Sequence, residues 1–416
     1  MTNWSRVGFV ALTAVMLAGC SSTRSTTVQS TSGSPATPTS TAVERASAHA
    51  AEAPIGEVPW SQVGAGWMLA MWSPVRAIGA GAEPAPGEPT PQTSATTLYL
   101  VSPEGGRYAI TTFPPPGDGS TPALVDWSGD GSRALFYNGT GSDRAVIEVD
   151  LHTGAQTTFT VKDGFSTTAR YTRPDGKAVL LAKSNDVNSP PSLVRVDLAG
   201  NHQLTYPIEQ FASKFGPDFL STPDGTQLVL GTEAGGLALI GNDGTGITTL
   251  PVPGQGYCSP TRWWDADSTI TVASCHDPEF SNSQLWLVPI DGGTPTPLTQ
   301  PNNGQQGEIL GAGNAWNLPE GTFLQAYGAC GYRFLAKLDT VGGTPTKVSV
   351  PNVDDHSSVD VLGVYHGHLE LHATLSCGSG ESLVDYDPAA GTSTVLLGPT
   401  VNGGGVVEAL PYADDE

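Results

Sequence analysis

Leu285-Trp-Leu-Val-Pro-Ile-Asp-Gly292 reads as an apolar strand running into a glycine turn, and Thr296-Pro-Leu-Thr299 follows it as a second, Thr-containing strand. The same pattern recurs at residues 98–105, 146–154, 193–200, 237–244, 335–342 and 383–391. In chain order the leading apolar residues lie 48, 47, 44, 48, 50 and 48 apart, a regularity that marks an array of structural repeats.

Between these hairpins sits another, built on a Pro-Asp-Gly type of turn. It appears as Trp127-Ser-Gly-Asp-Gly131, Thr172-Arg-Pro-Asp-Gly176, Ser221-Thr-Pro-Asp-Gly225 and Asn317-Leu-Pro-Glu-Gly321, and in looser form as Trp264-Asp-Ala-Asp267 and His366-Gly367. Gly after Asp supplies the positive φ that a tight hairpin needs, and Pro presets the turn before it. Two hairpins per repeat make a four-stranded antiparallel sheet. Seven such sheets, none able to bury both faces alone, predict an all-β fold, a seven-bladed β-propeller of four-stranded antiparallel blades.

Composition agrees. Gly (51) and Pro (34) make up about a fifth of the 416 residues, which argues against a helical bundle or coiled coil. With 18 basic against 40 acidic residues and a net charge of −22, the chain offers no basic face for nucleic acid or an anionic lipid surface.

Trp-Ser-Gly-Asp-Gly followed by a strand, and the Leu285 segment followed by Thr-Pro-Leu-Thr, resemble TolB-type (WD-repeat-like) propeller repeats. The resemblance spans residues 60–412 and implies the fold; it further implies work through protein contacts in the bacterial envelope. The chain departs from the pattern at the turns near Asp265 and His366, and the first repeat lacks a strong Asp-Gly turn. That repeat is also split. Residues 67–72 read as a strand, and a Pro/Gly-rich stretch (73–96) separates it from the next strand at Thr97. Gly405-Val-Val-Glu-Ala-Leu410 follows a complete seventh repeat and would close the ring by pairing into the first; residues 60–63 are the alternative source of the missing strand.

The N-terminus carries an address. An apolar run too short for a stable membrane span ends in Leu17-Ala18-Gly19-Cys20, which resembles the bacterial lipobox. On this reading residues 1–19 are a lipoprotein signal peptide, and Cys20 receives a diacylglyceryl group. Its two acyl chains anchor an extracytoplasmic protein to the cell membrane. Residues 20–58 are expected to form a disordered tether, since 14 of the 21 residues in 21–41 are Ser or Thr. Such a tether would reach roughly 35 Å. Residues 59–416 form the propeller domain. No second apolar run of membrane length follows, so the membrane is met only through the lipid, and the chain is read as a monomer.

Four cysteines remain, and three pairings are open. A hairpin turning over residues 265–268, with Trp264 opposite Thr269, carries Cys258 onto Cys275; Cys330 and Cys377 both end second strands of adjacent repeats and would meet. The loops around them collect Tyr257, His276, Tyr332, Arg333 and His356, the expected ligand-recognition patch, with residues 73–96 as a flap on the same rim.

No Gly-x-Ser-x-Gly, His-Glu-x-x-His or phosphate-cradling glycine loop occurs. His368, Glu370 and His372 share one face of a strand and could supply three zinc ligands, but they run over roughly 13 Å, awkward for a single ion; no metal is assigned, and a polar blade face packed on a neighbour or exposed near the edge is the preferred reading. Asp-rich turns such as Asn242-Asp-Gly serve the backbone as readily as calcium. No cofactor and no catalytic residue are assigned. Trp127, Trp263, Trp264 and Trp316 suit either packing between blades or stacking at the channel mouth. The sequence therefore predicts a non-enzymatic scaffold binding envelope proteins or cell-wall glycan. The alternative is an extracytoplasmic enzyme (a metal-assisted lyase, lactonase or glycan-acting hydrolase) with its site at the channel mouth.

Overall fold

The computed structural model describes residues 52–412 apart from 78–83, 118, 139–144, 161–164, 185–191, 210, 212–217, 305–306, 355–356 and 376–379. Cys20 and most of the expected tether lie outside the described residues, as do His356 and Cys377 and the side chain of Cys330.

Strands that follow one another in the chain pair antiparallel. The second unit is Ala123–Trp127, Arg133–Asn138, Ala145–Asp150 and Gln156–Thr160, and the third is Phe165–Tyr171, Ala178–Ser184, Ser192–Asp197 and His202–Tyr206. The fourth unit (Phe219–Ser221, Gln227–Thr232, Gly236–Gly241, Thr248–Pro251) and the fifth (Tyr257–Trp263, Ile270–His276, Ser283–Pro289, Thr296–Pro297) join into one eight-stranded sheet through the pair Thr232–Cys258. The sixth is Ile309–Leu318, Gly321–Tyr327, Arg333–Leu338 and Thr346–Lys347, and the seventh Ser357–Tyr365, His368–Leu375, Gly380–Asp387 and Thr392–Leu397.

The first unit explains why its repeat lacks an Asp-Gly turn. Its innermost strand is Gly405–Pro411, from the far end of the chain, so no hairpin links it to Met68–Ser73 beside it. Residues 60–62 form a short 3-10 helix instead of a strand. The tether also stops earlier than the sequence suggested. Glu52–Pro54 pairs parallel to the outer strand Arg107–Phe113, and the Glu52 carboxylate accepts the Tyr99 hydroxyl at 3.0 Å. Val58 is buried and Ile55 packs beside it, so apolar side chains scattered at the end of a polar stretch suffice to dock it.

Packing makes the units a ring. Each sheet is covered on both faces by its neighbours, which is why second strands read as continuous apolar runs, as in Ala178-Val-Leu-Leu-Ala182. The outermost strand Gln156–Thr160 is exposed except at Phe159. Buried clusters join each unit to the next. Phe113 and Phe136 link first to second, Tyr171 and Phe159 second to third, and Leu383 and Met68 the seventh back to the first. The arrangement is a β-propeller, consistent with seven blades.

Polar side chains tie inner strands to the neighbouring units. Asp126 accepts the Tyr171 backbone N–H at 2.5 Å, the Thr261 hydroxyl meets Asn314 at 3.0 Å, and Gln325 accepts the Val361 N–H at 2.9 Å. Inner strands have a free edge toward the axis, and these bonds satisfy part of it.

Candidate functional site

Antiparallel connectivity sorts the loops. The turns joining second to third strands share one rim with the start of each inner strand, and the Asp-Gly turns share the opposite rim.

On the first rim, Cys258 and Cys275 are directly opposed, with Cα atoms 4.1 Å apart, and form a disulfide. The register near the turn differs from that expected. A bulge between Pro260 and Arg262 shifts it by one, so Trp263 faces Thr271 and the Trp264 N–H reaches Ile270, not Thr269. One rung beyond the disulfide, Tyr257 opposes His276, and their rings lie 6.1 Å apart. Phe280 completes a stack, 5.5 Å from His276 and 6.2 Å from Tyr257; it adopts a positive φ of 54° and is 53% exposed. The turn that holds it is built by Asp277, which accepts the Ser281 N–H and hydroxyl and the Asn282 amide. Those bonds, Ser281's hydroxyl first, hold its carboxyl down at about 2. Burial pushes the His276 imidazole down, and the Asp277 charge offsets this in part. Tyr257 and Ser259 donate to the Asp218 carboxylate at 3.0 and 2.7 Å.

Tyr332 and Arg333 form a separate cluster on the same rim. Arg333 pairs with Asp360 at 2.8 Å; burial raises the Asp360 carboxyl, and the guanidinium pulls it back. Tyr332 stacks on Phe334 at 5.6 Å, with the Lys347 ammonium 4.9 Å from the Tyr332 ring. Tyr332, Phe334 and Lys347 wall a cavity of about 360 Å³ that reaches Val359 of the seventh unit.

His368, Glu370 and His372 have different surroundings. His368 contacts the Asp385 carboxylate at 2.9 Å, whereas His372 is buried with its Nε2 against the Val406 carbonyl at 2.8 Å. Desolvation pushes the His372 imidazole down, so it is held neutral between the seventh and first units. Among the described residues, no group of three or more His, Cys, Asp or Glu side chains is arranged to hold a metal ion.

The axial channel holds residues the sequence reading missed. A cavity of about 350 Å³ opens at the Asp-Gly rim, between Arg170, Tyr171, Arg173, Leu220 and Trp263. A second, of about 220 Å³, shares Arg170 and Leu220 and continues to Arg262, Trp316 and Leu410; six inner strands contribute to it. Arg173 is fixed by the buried Asp126 carboxylate at 3.3 Å and the Trp127 carbonyl at 3.2 Å. The Arg262 guanidinium lies 5.2 Å from the Trp316 ring. Trp127 packs edge-on against Tyr412, and Trp263 lines the cavity while donating to Ser221 at 3.3 Å. Arg170 and Arg262 each stand one residue before the aromatic that ends an inner strand, Tyr171 and Trp263. Superposing the repeats reveals that correspondence.

No family model matches the chain, and no curated protein sequence does. Among solved structures it is similar to the β-propeller domain of the Trilobed protease from Pyrococcus furiosus, with 12% identity and a TM-score of 0.46 over 74% of this chain and 88% of that one. It is also similar to the Cps50 (Swd1) β-propeller domain of Myceliophteria thermophila, with 14% identity and a TM-score of 0.43 over 73% and 93%. What these chains share with it is the propeller architecture.

Proposed function

We propose that this chain is a lipid-anchored extracytoplasmic propeller that serves as a binding module, presenting its disulfide-held rim to an envelope protein. The observation that carries this reading is Phe280, a largely exposed ring stacked on His276 within a turn locked by Asp277 and backed by the Cys258–Cys275 bridge. A ring already held in place loses little freedom when a partner covers it, which is the property of an interface anchor. Tyr332 and Arg333 extend the surface with the side-chain types that dominate such contacts. Cell-wall glycan is the second ligand class, favoured by the near-parallel rings of Tyr257, His276 and Phe280, at 23–25° to one another. Cys20, at the end of the lipobox-like stretch, supports the anchor.

The test is a photo-crosslinking amino acid placed at Phe280 in intact cells, with Thr245 on the opposite rim as control. A discrete protein adduct at Phe280 alone is expected. Equal labelling at both positions, or none at Phe280, counts against the proposal.

A further inference from the structure

We propose that the arginine-lined end of the axial channel, at the rim opposite the disulfide, binds a small ring compound carrying a carboxylate. Arg170, Arg173 and Arg262 line the two contiguous cavities, and no Asp or Glu is among the described residues lining either. That composition runs against the chain as a whole, which has 40 acidic and 18 basic residues. Four aspartates of the surrounding turns are engaged within those turns, while Asp267, between the lining residues Ala266 and Ser268, is exposed. Asp130 accepts from Ser128 and Ser132, Asp224 from Thr222 and Thr226, and Asp265 from Thr269 and Ile270, while Asp175 pairs with Lys177. Asp126 grips Arg173 and the Tyr171 N–H. The charged groups that line the two cavities are thus guanidinium groups, with Arg173 paired to Asp126.

Guanidinium is planar and presents parallel N–H donors that match the two oxygens of a carboxylate. Arg173 is preorganised by Asp126, and Arg262 by the Trp316 ring, so neither has to be ordered by the ligand. Leu220, Pro174 and the Trp263 indole supply an apolar wall beside the charges. A volume of about 350 Å³ suits a molecule of one or two rings. Two kinds of ring acid meet this description, aromatic acids and sugar acids, and both present a flat or CH-lined face for the indole. The wall itself is stiff: a Cβ on Gly129 would stand 2.5 Å from the Pro174 carbonyl oxygen, so the turns of the second and third units are in direct contact.

The full-length protein in detergent is titrated with benzoate, glucuronate, inorganic phosphate and glucose, read by tryptophan fluorescence and melting temperature. Benzoate or glucuronate is expected to quench fluorescence and raise the melting temperature, with glucose inert and phosphate weaker; which of the two acids binds identifies the ring class. Arg170→Gln and Arg262→Gln should each weaken binding at least tenfold, and Arg262→Lys less. Arg173 is left intact because it braces the fold, and either glutamine variant alone suffices if the other fails to fold. Absence of binding by both ring acids, or affinity unchanged in the glutamine variants, overturns the proposal. Phosphate binding as tightly as the ring acids overturns the ring requirement.

Discussion

The carboxylate of Glu408, on the strand that completes the first unit, accepts the backbone N–H of Leu124, on the inner strand of the second, at 2.5 Å. The contact spans 284 positions and ties the closing strand to the neighbouring blade. Burial pushes the Glu408 carboxyl up to about 6, and the Leu124 N–H only partly offsets this.

A raised carboxyl favours the protonated form in the fold. Its contribution to stability is greatest below the unfolded value of about 4.5 and declines as pH rises through about 6. Denaturant unfolding between pH 4.5 and 7.5 should show Glu408→Gln gaining about 1–2 kcal/mol over the native chain at the upper end and nothing at the lower, the Gln carbonyl still accepting from Leu124. Parallel pH profiles for the two proteins would refute the assignment.

Cys258 and Cys275 are separated by 17 positions, and both side chains are fully buried. The double Cys→Ser variant should lose about 3 kcal/mol in denaturant unfolding, chiefly through a freer unfolded chain. The same variant should loosen the stack of Tyr257, His276 and Phe280, visible as faster amide exchange in residues 277–282. Unchanged exchange there would show that Asp277 alone holds the turn.

Asp126 is 1% exposed and holds both Arg173 and the Tyr171 N–H. Asp126→Ala should cost about 3–5 kcal/mol, because it leaves a guanidinium in a low-dielectric site without its counter-charge. Asp126→Ala combined with Arg173→Met should recover part of that loss. A strictly additive double-mutant cycle would mean the pair is not coupled.

Metabolic labelling with palmitate should mark the native protein and not Cys20→Ala, and the variant should leave the membrane fraction. Equal labelling of both would remove the lipid anchor.

The repeat is legible because its turns constrain the backbone directly. Gly131, Gly176 and Gly225 all take positive φ, as Asp-Gly hairpins require. The His366-Gly367 turn instead closes a two-residue loop with both residues left-handed, so without Asp the strands still reverse, by a tighter route. The pairing of Cys258 with Cys275 is also legible, although the bulge beside Pro260 leaves no trace in composition and moved the turn by one rung. Glu52–Pro54 escapes because three residues carry no alternation to read. Arg170 and Arg262 escape for another reason. They meet only through closure of the ring, a long-range event to which a local window is blind.

The innermost strand of the first blade comes after all the other described strands in the chain, which orders its assembly in time. Residues 405–411 are synthesised after the other described strands, so a product cut short before them holds an unsealed blade with bare backbone groups on Met68–Ser73. A nascent molecule must wait for this strand before it can lock, and a premature stop just before Gly405 discards the latch while sparing every other described strand.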